Sequence, residues 1–205
     1  MAAGPAKLTG DPAMDVHYLT SGGARAAAVV AADAAFSQVL AERTAVVPEV
    51  APYRPGAFYR RELPPLHAVL DGISGLGLIL VDGYAYLDPG GRPGLGAHAQ
   101  AEFAIPVIGV AKSAFATATH AVPVRRGDSA RPLFVTAAGM PRVGAAELVR
   151  QMAGRFRVPD ALRRADQLPA PARRQPSTGA TTPADTRAER GIMWWTSVTC
   201  ALRAT

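Results

Sequence analysis

Met14 to Leu19 (M-D-V-H-Y-L) roughly alternates apolar and polar positions, the period-2 pattern of a half-buried strand. Gly22-Gly23 marks a turn. Ala26 to Ala32 is a second, apolar strand, and Arg43 to Val47 a third, which Pro48 ends. Three strands in succession with modest connections predict an antiparallel meander. The stretch before them, Met1 to Pro12, is punctuated by Gly4, Pro5, Gly10 and Pro12 and reads as an N-terminal arm.

The pattern then changes. Pro52-Tyr53-Arg54-Pro55-Gly56 is a rigid turn. Pro64-Pro65 suits the first turn of a helix, where missing N–H groups cost little. Leu66, Val69, Leu70 and Ile73 follow at helical spacing, and Gly75 and Gly77 end the segment. Leu78-Ile79-Leu80-Val81 is apolar throughout and stops at Asp82-Gly83, as a strand covered on both faces does. Gly90 to Gly96 is a loop and Ala97 to Phe103 a short helix. Ile105 to Val110 is another buried strand, closing at Ala111-Lys112. Pro132 to Thr136 is the last strand, and Ala145 to Gly154 and Asp160 to Asp166 are helical. A meander followed by alternating helix and strand predicts a mixed α/β sheet with helices on both faces.

Beyond Leu168 the apolar period disappears. Pro169 to Arg190 is rich in Ala, Pro, Thr and Arg, so residues 168–205 are expected to form a disordered tail on a domain spanning 13–167. A lone cysteine, Cys200, excludes an intramolecular disulfide. No apolar run approaches the length of a membrane span, and the expected location is the cytoplasm. A monomer is expected.

Charge adds one discriminating detail. The chain carries 22 basic and 16 acidic residues, a net +6. Only Lys7 and Lys112 are lysines. The excess is compatible with a nucleic-acid partner without requiring one.

Four residues stand where chemistry is plausible. Asp82 ends a central strand, the place where sites form in open α/β sheets. Asp15 lies inside the first strand, where a charge is costly unless paired or metal-bound. Glu62 sits at a helix entrance, where a carboxylate also serves simply to satisfy free N–H groups. Lys112 closes the buried strand after Asp82. Together they form a candidate hard-cation site with a lysine beside it. His17, His67, His98 and His120 show no zinc spacing, and no phosphate-binding glycine motif is present.

These segments, taken in order, resemble the endonuclease V family of deoxyinosine-directed endonucleases. The resemblance runs over residues 13–167. It rests on Asp15-Val16, on Pro52-Tyr53-Arg54-Pro55-Gly56 followed by Arg60-Arg61-Glu62-Leu63-Pro64, and on Val81-Asp82-Gly83. Gly94-Leu95-Gly96-Ala97-His98, the run from Ile105 through Lys112-Ser113, Pro132-Leu133-Phe134-Val135 and Pro159 through Asp166 complete it. It implies a ribonuclease H-like fold. It also implies a Mg²⁺-dependent enzyme, with Mn²⁺ as a substitute, that nicks inosine-containing DNA, or RNA, at the second phosphodiester 3′ to the base. Asp15, Glu62 and Asp82 would hold the metal and Lys112 would complete the catalytic set. Tyr53, Arg54, Pro55 and Gly56, with Arg61, would form a wedge that separates the strands. Gly83 and Gly109 would leave room for the flipped base.

The departures are specific. Ala85 stands where the family has a second glycine, Asp88 where it has a histidine, and Met140 follows Gly139 where it has another histidine. Asp88 and His98 are auxiliary candidates, Asp88 as a water-bridged carboxylate. The acidic residue that the family places near Met140 has no clear counterpart. The missing histidines motivate a competing reading, a nucleic-acid-binding protein on the same fold that does not cut or whose specificity has diverged.

Overall fold

The computed structural model describes residues 8–20 and 22–168. The expected tail lies outside them except for Leu168, which is buried in the core. The strands are β1 (Leu8–Thr9), β2 (Asp11–Tyr18), β3 (Ala24–Ala31), β4 (Val39–Val47), β5 (Ile73–Ser74), β6 (Ile79–Asp82), β7 (Val107–Ala111), β8 (Val122–Val124) and β9 (Leu133–Ala138). The helices are α1 (Tyr59–Leu70), α2 (Leu95–Phe103), α3 (Arg142–Gln151) and α4 (Asp160–Gln167).

Seven strands form one sheet in the order β4-β3-β2-β6-β7-β9-β8. The meander β2-β3-β4 is antiparallel, as its pattern predicts. β6 and β7 join it in parallel, and β8-β9 return antiparallel. Side-chain alternation sorts each central strand onto two cores. Met14, Val16, Ile79, Val81 and Val107 pack beneath α1 and α2, with Leu66, Val69 and Ala99. Ala13, Leu80, Ile108 and Val110 pack on the other face against α3 and α4, with Ala145, Val149 and Leu162. Helices therefore cover both faces. β3 (A-R-A-A-A-V-V-A) is buried along its whole length, and its small side chains let helices come close on either side.

Several boundaries differ from the expectation. The N-terminal arm is partly strand: β1 pairs with β5, and β2 begins at Asp11. Pro12 is tolerated because pairing with β6 begins only at Ala13, so nothing on that side needs its missing N–H. The helix expected from Pro64 starts at Tyr59, and both prolines lie inside it. They deprive the carbonyls of Arg60 and Arg61 of their usual donors, a cost borne in the first turns. Ile73 belongs to β5 rather than to that helix. β8 (V-P-V) was not expected; it is a short sheet-edge strand, where proline is permitted.

Candidate active site

β2 positions two consecutive functional side chains on opposite faces. Asp15 and His17 share the parity of Ala13 and point toward α4, whereas Tyr18 shares that of Met14 and points toward α1. Met14 pairs with Val81 in the parallel β2-β6 ladder, so Asp15 and Asp82 follow as the next residues of adjacent strands. Asp82 pairs with Val110, and Lys112 lies two residues further along. The parallel register thus brings Asp15, Asp82 and Lys112 to one end of the sheet and onto one face.

Lys112 Nζ lies 2.6 Å from Asp82 Oδ2. Burial opposes the lysine's charge, but the carboxylates of Asp82, Asp166 and Asp15 outweigh it and hold its pKa up. Burial raises Asp82, and Lys112 pulls it partly back. Two links lace the strand ends together. Gly83 N–H donates to Val110 O at 3.0 Å, and Tyr84 Oη bridges Ser113 O and Phe115 N–H at 2.8 and 3.0 Å.

The fourth carboxylate comes from α4. Asp166 Oδ1 lies 3.2 Å from His17 Nε2, which is also 2.8 Å from Asp15 Oδ2. Buried Arg25, opposite His17 in the β2-β3 ladder, donates to Asp166 O at 3.4 Å and places a cation at the C-terminal end of α4. Burial works against the charge of Asp15, yet His17 and then Lys112 bring its pKa below the ordinary value. Asp15 in turn raises His17.

Glu62 approaches from α1. It is 7% exposed and accepts a hydrogen bond from Tyr18 Oη at 3.2 Å. Arg61 lies over the Tyr18 ring, 4.1 Å from its centroid. Burial, reinforced by the negative charge of Asp15 and Asp82, pushes the Glu62 carboxyl up to about 8. Without a cation it is therefore mostly protonated at neutral pH.

This arrangement fits a divalent cation. Donor atoms of Asp15, His17 and Asp166 lie within 4.8 Å of one another. His17 Nε2 is buried between two carboxylates, at 2.8 Å from Asp15 and 3.2 Å from Asp166, and is well aligned with neither. Asp82 and Glu62 add carboxylates whose pKa values are raised by burial first and by neighbouring carboxylates second. Oxygen donors in excess suit Mg²⁺ or Mn²⁺.

The profile of the endonuclease V family matches residues 11–144. Endonuclease V of Streptomyces coelicolor is 34% identical over 80% of this chain and 78% of its own. That of Rhodospirillum centenum is 35% identical over 75% and 73%. This chain belongs to the endonuclease V family. The crystal structure of the Streptomyces avermitilis endonuclease V, 31% identical, covers 80% of both chains with a TM-score of 0.64. The Ciona intestinalis enzyme, 18% identical, shares the fold over 80% of this chain and 85% of its own, with a TM-score of 0.65; it was solved with a 24-mer DNA containing an inosine followed by a ribo-adenosine.

Other residues matched to endonuclease V fall at separate places. Tyr53, Arg54, Pro55 and Gly56 form an exposed turn, closed by Ala57 N–H donating to Arg54 O at 3.0 Å. Gly56 has φ +76°, so Pro55-Gly56 has the central residues of a type II turn. Gly83 borders open space, whereas at Gly109 the room is filled: a side chain there would sit 2.6 Å from Ala85 N and 2.7 Å from Gly83 O. Asp88 is engaged in its own turn, accepting from Arg92 N–H at 3.1 Å and pairing with Arg92 Nε at 3.3 Å. His98, on α2, stacks on Tyr59 at 3.5 Å. Met140 packs beside the α3-α4 core. Asp166, His17, Arg25 and Tyr18 are the neighbours of the centre that sequence reasoning missed. For Asp15 and His17 the available signal was their shared parity on one strand; for Asp166 there was none beyond its place in the matched C-terminal segment.

Proposed function

We propose that this protein is a divalent-metal-dependent endonuclease that nicks a nucleic-acid strand near a deaminated base, inosine in the first instance, in DNA repair. The observation that carries this reading is the convergence of Asp15, Asp82 and Asp166 around Lys112, with Glu62 close enough to feel the charge of Asp15 and Asp82, in a chain of the endonuclease V family. Asp15, Asp82 and Glu62 would hold the ion, Asp166 and His17 completing its surroundings; Mg²⁺ fits best and Mn²⁺ is acceptable. When bound, such an ion activates water and stabilises charge on a phosphodiester in in-line attack.

The chain's own residues do the rest. Lys112, held charged by Asp82, cannot accept a proton; it neutralises negative charge gathering on the scissile phosphate. The exposed Pro55-Gly56 turn would wedge between strands and offset the stacking lost when a base leaves the helix, a cost of a few kcal/mol. Gly83 offers the open side of a base pocket. The Asp82–Lys112 pair weighs against the non-cleaving alternative, since binding a backbone does not require a lysine neutralised by a carboxylate.

The test is a substrate panel: single- and double-stranded DNA and RNA oligonucleotides, with and without inosine, incubated with Mg²⁺ or Mn²⁺. Inosine-dependent nicking that disappears in Asp82→Asn supports the reading. Binding without nicking on every substrate sinks it.

A further inference from the structure

A second feature abuts the centre. The loop between α3 and α4 carries Arg155, Phe156 and Arg157, and with Arg163 of α4 it lines a cleft of about 740 Å³ that reaches Lys112 and Asp166. Four cations face this cleft against two acids, Asp128 and Asp166.

The loop is held from beneath. Arg126 is 6% exposed, an expensive place for a guanidinium. It donates to five carbonyls of this one segment: Met152 O, Ala153 O (3.4 Å), Gly154 O (3.1 Å), Phe156 O (3.1 Å) and Arg157 O (3.4 Å). Ala153 N–H donates to Ala35 O at 2.8 Å, and Asp160 N–H returns to Ala153 O at 3.0 Å. The backbone of the loop is thereby set before any ligand arrives.

What the loop presents is not a core residue. Phe156 is 45% exposed. The guanidinium carbons of Arg155 and Arg163 lie over its ring, 4.9 and 4.7 Å from the centroid. Arg157 NH1 donates to Lys112 O at 3.2 Å, tying the loop to the strand end that carries the lysine. An exposed aromatic flanked by arginines is the combination that grips a nucleic-acid strand without reading its sequence. Guanidiniums take phosphates bidentately and stack on bases, while the ring adds apolar contact to a base or sugar.

We propose that Arg155, Phe156 and Arg163 form a preformed platform for the nucleic-acid strand flanking the scissile phosphate, held in place by Arg126. Its ligand class is the polynucleotide backbone. The inference rests on the nuclease reading above for its location beside the cut, and it adds residues outside the metal centre and the wedge turn.

The experiment measures anisotropy of a fluorescent inosine-containing oligonucleotide, and of its undamaged counterpart, with Ca²⁺ replacing Mg²⁺, across a salt series. The double variant Arg155→Ala/Arg163→Ala is expected to weaken binding of both about 10- to 100-fold near 0.1 M salt. Its slope of log affinity against log salt should be shallower by about 1.4–1.8, since each lost phosphate contact removes about 0.7–0.9. Phe156→Ala is expected to lose at least about 5-fold in affinity with the slope unchanged. Arg155→Lys, which keeps the charge, retains the slope. Arg150→Ala, on α3, is the surface control and changes nothing. A double variant with wild-type melting temperature, affinity and salt slope overturns the platform, even where the wild type nicks inosine normally. If the wild type nicks no substrate while the variants still lose affinity, the nuclease reading falls and the platform stands.

Discussion

Glu62 is a buried carboxylate and Asp82 a half-buried one at the same centre, and the fold treats them differently. Asp82 meets Lys112 at 2.6 Å, and across the sheet face Asp15 and Asp166 share His17. On that side every carboxylate has a cation at hand. Glu62, on the α1 side, has a neutral phenol as its hydrogen-bond partner and two like charges nearby, and it is pushed up to about 8. On one side neighbouring cations favour the ionised carboxylates, and on the other Glu62 holds a proton until something displaces it. A centre built of four unpaired carboxylates would repel itself in the empty protein. A centre with Glu62 protonated carries less of that repulsion without an ion and keeps one carboxylate in reserve.

The largest effect should come from the paired side. Asp82→Asn leaves Lys112 without its charged partner and removes a proposed metal ligand; single-turnover nicking of an inosine substrate is expected to fall at least about 10³-fold, a loss of several kcal/mol of transition-state stabilisation. Lys112→Met should cost about 10²–10³-fold, the scale of deleting one charge-stabilising donor. Equal losses in binding and in rate would show that the pair only holds substrate.

The protonated side predicts a pH signature. A carboxyl whose folded pKa is raised from 4.5 to about 8 contributes stability that is fully present below pH 4.5 and is lost as pH rises to about 8. In metal-free protein, melting temperature should therefore fall across that window by more in wild type than in Glu62→Gln. His17, also raised, falls in the same direction but is common to both proteins. Mn²⁺ should restore the melting temperature, more at pH 8 than at pH 6, because the ion must displace protons from Glu62 and His17. Calorimetry in buffers of different ionisation enthalpy would count them. A pH-independent difference between the two proteins would mean Glu62 is already ionised and would erase the contrast drawn above.

The smallest effect belongs to the hydrogen bond between the two regions. Tyr18→Phe removes one acceptor–donor pair worth about 0.5–1.5 kcal/mol. Because that bond lowers the Glu62 pKa, its loss should move metal affinity toward higher pH and reduce nicking several-fold at pH 7 while leaving it nearly intact at pH 9. A pH-independent loss would assign Tyr18 to packing against Phe58 instead.

Much of the frame was legible. The alternation of Met14 to Leu19 and the apolar runs before Asp82 and Lys112 mark the strands, and strand ends are where side chains escape the core. The turn at Pro55-Gly56 is readable because its geometry demands those residue types. Other features were hidden because they depend on partners far along the chain. Pro64 and Pro65 look like a helix start, yet α1 begins at Tyr59. Gly109 reads as room for a base, and the turn at Gly83 to Ala85 occupies that room. Asp88 reads as a spare ligand, and Arg92 engages it. β8 is too short to carry a period.

The candidacy of Asp15, Glu62, Asp82 and Lys112, and the strands that carry or lead into three of them, could be read from the sequence alone, since parity and termination are local properties of a chain. Tertiary structure alone decided that Asp166 arrives beside His17, that Glu62 meets a tyrosine rather than a cation, and that Arg126 locks the loop bearing Phe156. Those outcomes depend on which elements meet, and on how much water and how many opposite charges remain between them once they do.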